Sequence, residues 1–157
     1  GGELPFEPVD LKKLAEEASA SLASAAAEKQ VTIRVHGDDR QITTVRRLAS
    51  EIIYNLCDNA VKYNREGGSV DVTIDGTAHG AVVTVQDTGI GIPPEHQSRV
   101  YERFYRVDKS HSRQSGGTGL GLSIVKHAVQ YLGGRIELES QPGKGTTMRV
   151  HFPDGNV

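Results

Sequence analysis

The spacing of apolar residues separates helical from extended stretches in the first half of the chain. Apolar residues recur every three or four positions over residues 11–29, which predicts a helix with Asp10 as its N-cap. Residues 31–36 alternate between apolar and polar side chains, as expected of a half-buried strand. A second long apolar stripe predicts a helix from about residue 44 to 64. The first half is therefore predicted to contain two long helices around a strand.

The second half contains two pairs of strands. Residues 69–76 and 81–87 alternate between apolar and polar and are separated by four turn residues, which predicts a hairpin. The stretch 120–132 has helical periodicity. Strands are predicted at 135–141 and 146–152, on either side of the sequence PGKG.

The remaining segments are irregular. A glycine turn, two prolines and a short predicted helix follow Asp87, and residues 107–119 lack apolar periodicity, which predicts a mobile loop. Helices and strands in mixed order with hairpin connections indicate an α+β fold: a mixed, mostly antiparallel sheet covered on one face by helices. We expect residues 1–157 to form one domain, with 1–9 as a linker and first strand.

Composition narrows the function. With 18 Lys and Arg against 20 Asp and Glu, nothing global favours nucleic acid, so any anion site must be local. Cys57, the one cysteine, excludes an internal disulfide and fits a reducing compartment. No apolar run approaches the roughly 20 residues of a membrane span. A first residue other than Met suggests a piece of a longer protein.

Two glycine-rich motifs are candidate phosphate sites: DTGIGI at 87–92 and GGTGLGL at 116–122. A dinucleotide-binding motif requires G-x-G-x-x-G directly after a strand, and the second motif has another spacing and follows a polar loop. A P-loop sequence does not occur. A helix beginning near Gly119 would offer free backbone amides, and glycines would let phosphate approach them.

Asp87 ends a strand directly before a turn. Its carboxylate accepts hydrogen bonds only, and adenine presents an amine donor where guanine presents a carbonyl. With Ile90 and Ile92 beside it, Asp87 is predicted to select ATP over GTP. The alternative is a turn aspartate that accepts bonds from local amides.

A polar stripe runs along the helix of residues 44–64. Glu51, Asn55, Asn59 and Lys62 fall at i, i+4, i+8 and i+11. Amide oxygens are suitable Mg²⁺ ligands, and a lysine one turn further along can meet phosphate. The alternative is a solvated stripe without a ligand.

Four motifs in order, NLCDNAVKY, DTGIGI, YERFYRVD and GGTGLGL, resemble the N box, first glycine box, F box and second glycine box of sensor histidine kinase catalytic domains. FEPVDL and GKGTTMRVHFP resemble the segments that flank these boxes. The resemblance covers nearly the whole chain and is greatest to the phosphate-regulon type. It implies the Bergerat ATP-binding fold, a two-layer α/β sandwich, with ATP and Mg²⁺ as cofactors.

The resemblance also implies residue roles. Asn59 would bind Mg²⁺ and Asn55 would support the metal and phosphates, so that Asn55, Asn59 and Lys62 are the predicted catalytic residues. Lys62 and Tyr63 would reach phosphate or the sugar. Asp87 would bind the adenine amine.

Further ATP-binding residues are implied by the glycine boxes and the lid between them. They are Gly89, Ile90, Gly91 and Ile92 at the pocket floor, and Gly117, Thr118, Gly119, Leu120, Gly121 and Leu122 at the lid end and helix start. Arg106 and Lys109 would bring positive charge to the triphosphate. Thr146 resembles a threonine that holds adenine and the aspartate through water. The F box departs from the pattern at Tyr101, where Phe is usual.

The activity implied is transfer of the ATP γ-phosphoryl group to a histidine on a separate dimerisation domain. None of the six histidines is followed by an acidic residue, so the acceptor is expected outside this chain. The full-length protein would be a homodimer that serves a response regulator, with this part cytoplasmic, monomeric when isolated, and belonging to a sensor of the inner or plasma membrane. Alternatives are an ATP hydrolase, a serine-directed kinase of the same superfamily, or a non-catalytic ATP sensor.

Asn55 distinguishes the histidine kinase from the ATP hydrolase. In the chaperone and topoisomerase relatives, the matching position is a glutamate that activates water, whereas an amide is not basic. The sequence therefore predicts weak ATP hydrolysis.

Overall fold

The structure, a computed structural model, describes residues 4–102 and 121–155. Its elements in chain order are β1 (Glu7–Asp10), α1 (Leu11–Ser21), α2 (Ala23–Glu28), β2 (Thr32–Gly37), β3 (Gln41–Thr44), α3 (Arg46–Lys62), β4 (Ser69–Thr77), β5 (Gly80–Asp87), α4 (Pro94–Gln97), α5 (Leu122–Tyr131), β6 (Arg135–Gln141) and β7 (Gly145–Pro153). No helix among these residues has the length and apolar character needed to cross a membrane.

The main sheet has five strands in the order β2-β4-β5-β7-β6. The pairing of β2 with β4 is parallel because β3 and α3 lie between them in the chain, while the other three pairings are antiparallel. The predicted mixed, mostly antiparallel sheet and its two hairpins are thus confirmed. A second, two-stranded sheet pairs β1 with β3.

The core lies between the main sheet and the helices α1, α3 and α5. The central helix α3 buries Ile52, Ile53 and Leu56 against strand residues such as Val72 and Val83, all of them 2 % exposed or less. Burying each such side chain contributes roughly 1.5–3 kcal/mol. The predicted two-layer arrangement, with helices on one face of the sheet, is confirmed.

The other face of the main sheet carries charged side chains. Arg34 Nε lies 3.1 Å from Asp71 Oδ1, and Arg149 Nη1 lies 3.2 Å from Glu139 Oε1. Apolar and polar residues alternate along β4, β5 and β7 because side chains point to opposite faces at successive positions. This face is therefore the solvent side of the described domain.

Three predicted boundaries were wrong. The first helix is divided at Leu22, which has φ −98° and ψ 3°, although alanine is the commonest residue around it. The second long helix begins at Arg46 because Thr44 belongs to β3. The helix expected from near Gly119 begins at Leu122, with Gly121 as its N-cap.

Asp10 is the N-cap of α1, as predicted. Its side chain accepts a hydrogen bond from the backbone N of Lys13 at 3.1 Å. This bond satisfies one of the backbone donors that the first turn of a helix leaves unpaired. The short β1 therefore leads directly into α1.

Candidate functional site

Asp87 is held at the end of β5 by two backbone amides. Its Oδ1 accepts hydrogen bonds from Gly89 N at 2.8 Å and from Thr146 N at 3.1 Å. Burial raises the pKa of Asp87 to about 6, and these two bonds oppose the rise. A cavity of about 520 Å³ is lined by Asp87, Ser140 and Thr146 together with Glu139 and Thr147, and none of the candidate residues on α3 lines it. The carboxyl group is thus fixed in place at a cavity.

The glycines after Asp87 permit close contacts between segments. A Cβ atom on Gly89 would lie 2.4 Å from Tyr63 O and 2.9 Å from Asp87 Oδ1. Gly91 has φ +75°, and a Cβ there would lie 2.1 Å from Gln141 O. A side chain at either position would displace the turn, so both glycines are needed for its path.

The two isoleucines of DTGIGI differ in exposure. Ile90 is 42 % exposed, whereas Ile92 is 9 % exposed and belongs to the core. Ile92 N donates to Ser140 Oγ at 2.7 Å, and Ile90 N donates to Tyr63 O at 3.0 Å. Of the two, Ile90 has the side chain that a ligand can reach more easily.

The predicted polar stripe lies on the half-exposed side of α3. Asn55 Nδ2 donates to Glu51 O at 2.7 Å, while Asn59 is half-buried one turn further on. Lys62 Nζ lies 3.1 Å from Asp58 Oδ2. The ammonium group therefore lies against the helix, beside the two asparagines.

The start of α5 adjoins Asn55. Gly121 has φ +69°, and a Cβ on it would lie 3.2 Å from Asn55 Oδ1. Leu122, the first residue of α5, is buried. The first turn of a ten-residue helix, where backbone amides lack partners within the helix, thus lies beside the amide oxygen of Asn55.

Several predicted site residues lie outside the described residues. They are Arg106, Lys109, Gly117, Thr118, Gly119 and Leu120, together with the loop expected at 107–119. Of the described candidates, the structure brings Asp87, Gly89, Thr146 and Tyr63 together at the end of the sheet. It brings Asn55 together with Gly121.

Thr146 contacts Asp87 through its backbone. The contact through water that the resemblance implies stays a prediction, and in this structure Thr146 N bonds directly to the carboxyl group. The Thr146 hydroxyl lies 2.7 Å from Ser140 Oγ. Ser140 was not among the predicted residues because a serine in an alternating strand gives no signal of its own.

Asn64 is a second residue that the sequence analysis missed. It is 5 % exposed, and its Oδ1 accepts bonds from Arg65 N at 2.9 Å and from Thr88 Oγ1 at 3.2 Å. Its Nδ2 donates to Ser69 O at 3.0 Å. Asn64 thereby fixes the end of α3 to the residue after Asp87. A buried asparagine at a helix end, before two glycines, was the available signal.

No group of three or more His, Cys, Asp or Glu side chains in the described ranges is placed to hold a metal ion. A Mg²⁺ ion that arrives with a nucleotide does not require such a group, since it takes few protein ligands and retains water.

The family model described as histidine kinase-, DNA gyrase B-, and HSP90-like ATPase matches residues 44–156. The chain belongs to this family. The family is one of ATP-using domains, and the resemblance seen in the four boxes is confirmed.

Individual relatives are sensor kinases. The chain is 48 % identical over 103 residues to the phosphate regulon sensor protein PhoR of Pseudomonas aeruginosa, covering 66 % of this chain and 23 % of that protein. It is 38 % identical to the sensor-like histidine kinase SenX3 of Mycolicibacterium smegmatis, covering 95 % of this chain and 39 % of that protein. The chain thus spans less than half the length of these relatives.

A solved structure with the same fold contains a nucleotide analogue. Full-length ShkA in complex with AMPPNP has a TM-score of 0.82 and 28 % identity to this chain. The match covers 96 % of this chain and 31 % of that one. The fold found here therefore occurs as one part of a longer chain.

Proposed function

We propose that this chain is the catalytic ATP-binding domain of a sensor histidine kinase, and that it transfers the γ-phosphoryl group of ATP to a histidine on a separate dimerisation domain. The observation that carries the proposal is the partly buried carboxyl group of Asp87, held in place by two backbone amides at the end of β5. The kinase names of the relatives support it.

Asp87 would recognise adenine through its exocyclic amine. Above its pKa of about 6, the carboxylate accepts hydrogen bonds and donates none. A ligand with a carbonyl at that position would place two acceptors against each other. Ile90, which is partly exposed beside this group, would contact the apolar face of the base.

The triphosphate and its Mg²⁺ would be bound by Asn59, Asn55 and Lys62. Their positions on successive turns of α3 fit a nucleotide-bound Mg²⁺, because amide oxygens are neutral hard ligands. Mg²⁺ would neutralise phosphate charge during phosphoryl transfer. Lys62, which is paired with Asp58 in this structure, would exchange part of that pairing for phosphate. These residues bind and orient the nucleotide.

Asn55 favours transfer over hydrolysis. Its Nδ2 is engaged by Glu51 O, and an amide cannot remove a proton from water. Without a general base at this position, ATP would be hydrolysed slowly. The rival function, an ATP hydrolase, requires a basic group here.

The test of this proposal adds a dimerisation segment that carries the acceptor histidine. The chain is incubated with [γ-³²P]ATP and Mg²⁺, alone and with its own dimerisation segment. We expect acid-labile label on the segment's histidine and none on this chain alone. Acid-stable label on serine would favour the serine-directed kinase, and rapid phosphate release without labelling would favour the hydrolase.

The proposal also covers the full-length protein, its partner and its location in the cell. The full-length protein would be a homodimer that passes phosphate to a response regulator, and this part would be cytoplasmic within a membrane-anchored sensor. The names of the relatives as sensor proteins support this setting.

A further inference from the structure

Arg65 contacts three backbone carbonyls beside the site. It lies three residues after α3, and its Nε donates to Thr88 O at 2.5 Å. Its Nη2 donates to Gly143 O at 2.8 Å and approaches Gly89 O at 3.5 Å. One guanidinium group therefore contacts two separate segments of the chain.

These two segments are the ones that hold Asp87. Thr88 and Gly89 directly follow it, and Gly89 N is one of its two donors. Gly143 lies in the turn between β6 and β7, which leads to the other donor, Thr146 N. Arg65 thus joins the two segments that carry the donors of the Asp87 carboxyl group, together with the backbone bond from Gly143 N to Ile90 O at 2.8 Å.

We propose that Arg65 is a positioning residue for adenine recognition: it joins the turn after Asp87 to the β6–β7 turn and so fixes the direction in which the Asp87 carboxylate faces the base. The inference rests on the proposed function, because it assumes that adenine is the ligand. It adds a residue outside the four boxes to the determinants of nucleotide selectivity.

The chemistry of arginine suits this role. A guanidinium group presents several N–H donors in a rigid planar fork, so that one side chain can serve carbonyls on two segments. A lysine offers a single nitrogen on a flexible stem and cannot reproduce the fork. Replacing Arg65 by Lys therefore keeps the positive charge and removes the planar arrangement of several N–H donors.

Arg65 acts through the backbone. The pKa of Asp87 is raised by burial and lowered by the bonds from Gly89 and Thr146, the two donors whose segments Arg65 joins. Loss of Arg65 would therefore act on Asp87 by moving these donors and so altering the direction of the carboxyl group. A change in direction weakens the bond to a ligand with an amine donor, whereas for a ligand with a carbonyl at that position it relieves an unfavourable contact between two acceptors.

The test compares ATP with inosine triphosphate, which carries a carbonyl in place of the exocyclic amine. Dissociation constants for both Mg²⁺-nucleotides are measured by calorimetry for wild type, Arg65→Ala and Arg65→Lys, each below its melting temperature. Arg46→Ala is the matched control, because Arg46 contacts Glu7 Oε1 and Pro8 O near the opposite end of α3.

We expect both Arg65 variants to bind ATP about tenfold more weakly and inosine triphosphate at least as tightly as wild type does, whereas Arg46→Ala retains the wild-type ratio. Equal weakening of both nucleotides, or a ratio within twofold of wild type in Arg65→Lys, would overturn the role of Arg65 while leaving the proposed function intact. A wild-type chain that binds neither nucleotide would overturn both. If Arg65→Ala does not fold, Arg65→Lys decides the matter.

Discussion

At the scale of single residues, the ionised carboxyl group of Asp87 lowers the stability of the folded domain. Its pKa rises from 3.8 to about 6 on folding because the carboxyl group is buried. Between these values the folded state binds a proton more readily than the unfolded state. Stability contributed by this group is therefore highest below pH 4, falls as the pH rises, and is lowest above about pH 6.

The same shift predicts a pH-dependent selectivity. As the pH falls through about 6, Asp87 becomes protonated and loses its preference for an amine donor. The ratio of ATP affinity to inosine triphosphate affinity should fall over this range. Calorimetric titrations from pH 5 to pH 8 measure it, and the use of a ratio cancels the titration of the phosphates. A ratio constant from pH 5 to pH 8 would contradict this assignment.

Replacing Asp87 by Asn should stabilise the free domain at pH 7.5. Asn Oδ1 can accept the bonds from Gly89 and Thr146, while the buried charge is removed. Because the pKa of Asp87 is raised by about two units, the gain in the free energy of unfolding is at most about 3 kcal/mol. Urea denaturation measures the change, and an Asp87→Asn domain that is less stable than wild type would show that the charge itself supports the fold.

Asn55→Glu should increase ATP hydrolysis. A carboxylate at this position provides the general base that the amide lacks, and such groups contribute about 10²–10⁴-fold in enzymes. We expect at least a tenfold rise in steady-state phosphate release. Asn55→Gln, which has the same size without basicity, is the control. Rapid hydrolysis by wild type would instead favour the hydrolase function.

At the scale of elements, α3 joins the core to the site. Its apolar face packs on the sheet while its polar side carries Asn55 and Asn59. Lys29 Nζ, at the end of α2, donates to Asn64 O at 3.1 Å and to Val61 O at 3.4 Å, and also contacts Lys62 O. The carbonyls at the C-terminal end of the helix are thus met by a cation, as the helix dipole favours.

Lys29→Met should destabilise the domain without changing its selectivity. The variant retains the apolar stem and loses the bonds to the helix end, at a cost of about 1–2 kcal/mol. Urea denaturation measures the loss, and the ratio of ATP to inosine triphosphate affinity should remain that of wild type. A change in this ratio would show that the helix end, as well as Arg65, orients Asp87.

The elements differ in how well the sequence predicts them. The helix α3 and the β4–β5 hairpin follow from strong periodicity over many residues. The strand β3 has only four residues, of which Ile42 alone is a buried apolar residue, and its partner β1 is remote in sequence. Local pattern cannot identify such a strand, because it is formed by a tertiary contact.

The residues of the site also differ in how well the sequence predicts them. Asp87 and its glycines are recognisable because the motif is short and continuous. The contacts of Arg65 join residues 23 and 78 positions away, so no local pattern contains them. The direct bond from Thr146 N to Asp87 likewise depends on the pairing of β5 with β7.

At the scale of the whole molecule, one end of the sheet concentrates the chemistry. The end of β5, the start of β7, the end of α3 and the turn between β6 and β7 meet around Asp87. The sheet face away from the helices carries ion pairs such as Arg34 with Asp71. The proposed adenine-binding group thus lies where the end of the main sheet meets the end of α3, away from the ion pairs on the solvent face.

The most direct test of the account is the affinity of the native chain and of Asp87→Asn for Mg²⁺-ATP, measured by calorimetry at pH 7.5. We predict that wild type binds ATP more tightly than GTP and inosine triphosphate, and that Asp87→Asn, although folded, shows no measurable binding of ATP. Unchanged ATP affinity in a folded Asp87→Asn domain would contradict the central claim that this buried carboxylate recognises adenine.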